Sequence, residues 1–146
     1  THLHFDHCGQ NDALPGVPVW VRADEVEAAR TEGYTVPEWA AIPPDRLRLA
    51  DDDEAIAPGV RLVATPGHTP GHQSVVITAR DGRHHIVAGQ CCHSGREWEA
   101  GSPEATDMHD PGLVDAGVES LHRLQAMEPV AVFFSHDPDP YRTPDA

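Results

Sequence analysis

Thr1-His2-Leu3-His4-Phe5-Asp6-His7-Cys8-Gly9 opens the chain with three imidazoles and a carboxylate within six residues. A neutral imidazole is the commonest protein ligand for a metal ion, and carboxylates share that role. In an extended stretch His2, His4 and Asp6 fall on one side at period two, while His7 follows a bend. Four such groups are enough to serve two metals, one on each flank of the loop. Leu3 and Phe5 then point the other way and are expected to anchor the segment in the core. Thr65-Pro66-Gly67-His68-Thr69-Pro70-Gly71-His72-Gln73-Ser74 adds two more histidines in a Gly/Pro-fixed loop, and Ser135-His136-Asp137 adds a third source. A metal held this way polarises a carbonyl and acidifies a bound water, which is hydrolytic chemistry. Ser135 beside His136 is not read as a serine triad, and no G-x-S-x-G elbow occurs.

These residues need elements to hold them. Thr1 to Asp12 reads as too irregular for a helix. Val17–Val21 reads as a short strand with Pro18 at an edge, and Asp24–Arg30 as a helix stopped by Gly33. Tyr34–Pro44 reads as a loop or lid. Arg46–Leu49 and Val60–Ala64 alternate as strands. Ser74–Thr78 and His84–Ala88 form a hairpin about Asp81-Gly82. Asp115–Met127 carries apolar residues at helical spacing, and Val130–Phe134 is a buried strand that delivers His136. The fold class is therefore α+β.

Composition narrows the function. The chain has 146 residues and a formal charge of 10 − 24 = −14, with 39% hydrophobic content, enough for one core. There is no Lys, which excludes Schiff-base and P-loop chemistry, and there are 11 His. The acidic balance weighs against a nucleic-acid or anionic-membrane partner. No apolar run approaches the roughly 20 residues of a membrane span. Cys8, Cys91 and Cys92 form an odd set, read as reduced thiols of a cytoplasmic protein.

The H-x-H-x-D-H run, the T-P-G-H-T-P-G-H-Q-S loop and the late Ser135-His136-Asp137 resemble the metallo-β-lactamase superfamily, and within it the N-acyl-homoserine lactone hydrolase branch. The resemblance implies an αββα sandwich, of which this chain holds mainly the C-terminal portion. Because the family's first motif normally lies midway along the chain, it also implies that much of the first half is missing. Two zinc ions are implied: His2, His4 and His72 bind the first, and Asp6, His7 and His136 the second. His68 is then a loop residue, and Thr69 or Ser74 is expected to orient ligand imidazoles. The implied reaction is attack of a metal-bound hydroxide on a lactone or related ester carbonyl, with Asp6 moving the proton to the leaving oxygen.

Two positions depart from the family pattern. Gln90 stands where a bridging Asp is expected, so its neutral amide is a candidate but weaker metal ligand. Cys91 or Cys92 is a possible thiolate substitute. His93 stands where the lactonases carry a substrate-holding Tyr and is a candidate catalytic donor. Thioester hydrolysis of the glyoxalase II type, mono-iron oxygenation and a non-catalytic remnant therefore stay open.

Overall fold

A computed structural model describes residues 1–105 and 108–143. Among the described residues eight strands and five α-helices follow one another as α1 (Phe5–Cys8), β1 (Val19–Arg22), α2 (Ala23–Ala28), α3 (Pro37–Ala40), β2 (Leu47–Ala50), β3 (Ala55–Ala57), β4 (Val60–Ala64), β5 (Gln73–Thr78), β6 (His84–Gly89), α4 (Gly95–Ala100), α5 (Val114–Gln125), β7 (Ala131–Phe134) and β8 (Tyr141–Arg142). The class is α+β, as the sequence pattern indicates. Among the described residues no helix is long and apolar enough to cross a membrane, and all three cysteines are free.

The strands make a six-stranded sheet in chain order β3 to β8 and a separate parallel pair, β1 with β2. In the large sheet only β6 and β7 run parallel. A parallel neighbour requires a crossover connection, and α4 and α5 supply it. Val76, Ile86 and Val132 stand in register across β5, β6 and β7. With Val63, Trp98, Leu121 and Leu124 they form the main core under α4 and α5. Their neighbours Val75, Val87 and Phe133 alternate to the opposite face, where Phe133 is exposed. Removing a side chain such as Leu121, fully buried, carries the usual cost of about 2–5 kcal/mol for Leu→Ala in a core.

The opening segment differs from its sequence reading. Phe5–Cys8 is one turn of helix, with His4 at its N-cap. Cys8 N–H donates to the His4 carbonyl and Gly9 N–H to that of Phe5. This early turn breaks the period-two alternation. Leu3 is buried as expected, but Phe5 is carried to the surface, 55% exposed, beside Trp39. The Tyr34–Pro44 stretch holds a further single turn, α3, started by Pro37, where the missing proline N–H is no loss. A smaller core of Leu3, Cys8, Val21 and Tyr34 lies beneath it.

Candidate metal centre

Strands β4, β6 and β7 run in one direction, because each of β4 and β6 is antiparallel to β5 and β7 is parallel to β6. Their C-terminal ends therefore share one edge of the sheet. From that edge come the Thr65–His72 loop, Gln90 and His136. The opening motif is tied to the same edge by Gln73 N–H donating to the Thr1 carbonyl at 3.1 Å. Sheet direction thus gathers segments that are more than a hundred residues apart.

Two ligand clusters result. His2, His4 and His68 offer ring nitrogens that all lie within 4.8 Å of one another, and so do the ligand atoms of Asp6, His7 and His136. His2 is the hub, with ring centroids 4.5 Å from His4, 4.3 Å from His7 and 5.4 Å from His72. Asp6 Oδ2 lies 3.4 Å from His7 Nε2 and 3.6 Å from His136 Nε2. Gln90 is buried beside them, its amide nitrogen 2.6 Å from His93 Nε2. The His93 backbone N–H in turn donates to the buried Glu97 carboxylate at 2.9 Å.

Three arrangements depart from the sequence reading. His68, expected only to hydrogen-bond within its turn, brings Nε2 to 3.1 Å from His4 Nδ1. His72, expected in that cluster, is fully buried, and its Nε2 accepts the Gln90 backbone N–H at 2.9 Å. The reason is Gly89, at φ +63, which turns the Gln90 N–H onto the ring. A Cβ at Gly89 would lie 2.7 Å from His72 Nε2, so only glycine fits. The residue that orients His72 is Thr65, whose Oγ1 and carbonyl lie 2.8 and 3.1 Å from Nδ1. Ser74 acts one step back, through Thr65, while Thr69 donates elsewhere, to Glu25. Cys91 and Cys92 belong to the apolar core. Burial pushes the Cys91 thiol up to about 12 and Cys92 up as well, so both favour the neutral thiol in the metal-free chain.

Sequence reasoning missed Glu25, Tyr34, Glu97 and His109. The His109 ring sits 5.7 Å from His4 and 4.6 Å from Tyr34, and the His109 backbone N–H donates to the His68 carbonyl at 2.8 Å. Nothing in the spacing of these four marks them, because each reaches the site only through the tertiary fold.

Burial holds His2, His4, His7 and His72 below the ordinary imidazole range, with neighbouring imidazoles adding to the effect at His2 and His72. They stay neutral and keep a lone pair for a metal. In the unfolded chain they titrate near 6.5. Above that value neither state takes the proton; below it only the unfolded state does, so stability falls with pH. For the metal-free chain the urea midpoint is expected to drop between neutral pH and about pH 5. His72 alone supplies a slope of up to about 1.4 kcal/mol per pH unit. A flat midpoint over that range contradicts neutral burial.

A metallo-beta-lactamase superfamily family model matches residues 1–136. The chain is 32% identical over 137 residues to an N-acyl homoserine lactonase of Bacillus thuringiensis, covering 94% of this chain and 54% of that protein. It is 26% identical over 161 residues to the N-acyl homoserine lactonase AttM of Agrobacterium fabrum (strain C58 / ATCC 33970), covering 95% and 57%. The chain thus spans about half the length of the curated relatives it matches. Among solved structures, an N-acyl homoserine lactone hydrolase with the product N-hexanoyl-L-homoserine at its catalytic metal center superposes with a TM-score of 0.79 at 31% identity, over 94% of this chain and 54% of that one. A protein solved in a di-iron-bound form superposes at 0.65 with 27% identity, over 98% and 69%.

Proposed function

Because the chain belongs to the metallo-β-lactamase superfamily, we propose that its histidine clusters hold zinc and that it hydrolyses a lactone of the N-acyl-homoserine type or a related ester. The observation that carries this reading is a set of buried, unpartnered polar atoms at one place. His2 Nε2 and Gln90 Oε1 lack a hydrogen-bond partner, and His7 Nε2 faces the Asp6 carboxylate at the long distance of 3.4 Å. Orphaned buried atoms are costly, and these beside two ligand clusters fit a cation.

Zinc held there would supply Lewis acidity and an acidified water. We assign His2, His4 and His72 to the first ion. His72 has its Nδ1 fixed by the Thr65 carbonyl, the usual outer partner of a metal-bound imidazole, which leaves Nε2 as the free acceptor once the Gln90 N–H gives way. Asp6, His7 and His136 are assigned to the second. Asp6 is exposed on the open side of its cluster, placed to take a proton from water and return it to the leaving oxygen. The amide of Gln90 occupies His93 Nε2, so His93, backed by Glu97, orients Gln90 and does not hold the substrate carbonyl. A cavity of about 590 Å³, lined by apolar groups such as Leu3, Val26, Ile42 and Leu47, contains none of the clustered histidines, so we place the reaction outside it. Three free thiols support a cytoplasmic setting.

The test is lactone ring opening followed by acid release. With zinc added, the chain is expected to open an N-acyl homoserine lactone, and a chelator is expected to abolish that rate. Turnover no faster than the chelated control, or turnover of thioesters alone, contradicts the proposal.

A further inference from the structure

We propose that Glu25 is a positioning residue that locks the two histidine-bearing segments together, so that both are held in place when a metal enters the first site. The proposal rests on the metal-binding reading above. Glu25 lies on α2, outside both motifs, and is fully buried. Its Oε1 accepts the Leu3 N–H at 2.7 Å and the Tyr34 hydroxyl, and its Oε2 accepts the Thr69 hydroxyl at 2.7 Å. Leu3 stands between His2 and His4, and Thr69 between His68 and His72. One carboxylate therefore bonds the middle of each ligand segment.

The contact is close on the backbone side as well. A Cβ at Gly71 would lie 2.2 Å from the Glu25 nitrogen, so the loop packs directly on α2 and has no room to shift. Thr69 also braces its own loop, its carbonyl accepting from Gly67 and His72. These three donors to Glu25 are neutral. Burying a carboxylate on neutral donors is costly, and a cation in the adjoining histidine cluster would offset that cost. Helix α2 buries its remaining inward side chains against apolar neighbours, as Val26 and Ala28 do in the smaller core. An apolar residue would serve packing alone at position 25.

The test measures zinc affinity by competition with a chromophoric chelator, alongside thermal unfolding with and without zinc. Glu25→Gln preserves volume and removes the charge. It is expected to weaken zinc binding by about 10- to 100-fold, the loss typical of an outer partner, and to shrink the zinc-induced rise in Tm. A purely structural role would lower Tm equally with and without zinc and leave the affinity unchanged, which overturns the proposal. Should Glu25→Gln fail to fold, Thr69→Val and Tyr34→Phe separate the arms. Thr69→Val, which cuts the arm to a ligand loop, is expected to weaken zinc binding, and Tyr34→Phe, which keeps the ring packed on His4 and removes only the hydroxyl, to weaken it less. Equal effects of the two overturn it. A wild-type chain that takes up no zinc overturns the metal reading and this role together, whereas tight wild-type binding matched by all variants overturns the role of Glu25 alone.

Discussion

Gln90→Asp is expected to raise the zinc held by the chain from a single ion toward a pair. The second cluster contains one carboxylate, Asp6, and two neutral imidazoles. Two divalent ions repel with roughly four times the energy of unit charges at the same separation, and Gln90 puts no negative charge between them. Its Oε1 is buried and unpartnered, so a carboxylate oxygen at that position has a place to go. In the metal-free chain the substitution buries a new anion near Asp6, and the expected cost is about 1–3 kcal/mol. Zinc should more than restore it. The signature is therefore a lower Tm without zinc, a larger zinc-induced rise, and a higher metal-to-chain ratio by elemental analysis. An unchanged ratio contradicts the reading of Gln90 as the weak point of the second site.

His2→Ala is expected to have the largest effect on the first site. His2 touches the rings of His4, His7, His68 and His72, and its Nε2 is buried with no partner. Losing an outer partner costs up to about 100-fold in metal affinity, and losing a direct ligand should exceed that. The zinc-free chain should suffer less, because one nitrogen of the deleted ring is unsatisfied and the other makes a single bond, to Thr1 Oγ1 at 3.1 Å. At a zinc concentration 100 times the wild-type Kd, bound metal contributes about 2.7 kcal/mol of stability, and the variant should lose nearly all of it. Phe5→Ala, at an exposed position one turn away, should leave zinc binding intact. Zinc affinity retained in His2→Ala contradicts the assignment.

How far the fold was legible depended on how local its causes are. The β5–β6 hairpin follows from Asp81-Gly82, helix α5 from apolar spacing, and β7 from an uninterrupted apolar run. The gathering of histidines was legible in part, since six of the seven candidate ligands occur in three short motifs and Gln90 stands just past a strand end. What was not legible turns on tertiary contacts. The helical turn at Phe5–Cys8 moved Phe5 from the expected core to the surface. The Gly89 kink set Gln90 N–H on His72 and left His68 beside His4. Thr65, not Thr69 or Ser74, holds the His72 ring; all three are fully buried, and only the folded loop shows which hydroxyl meets Nδ1. Glu25 reads as one more acid in the first turn of a surface helix, and only packing of the His68–His72 loop on α2 reveals it as a buried brace.

The most direct measurement is zinc per folded chain, determined by elemental analysis after equilibration with zinc and removal of the excess. The prediction is at least one tightly held ion in the wild-type chain, lost in His2→Ala. A folded wild-type chain that retains no zinc would contradict the assignment of these histidines to a metal centre.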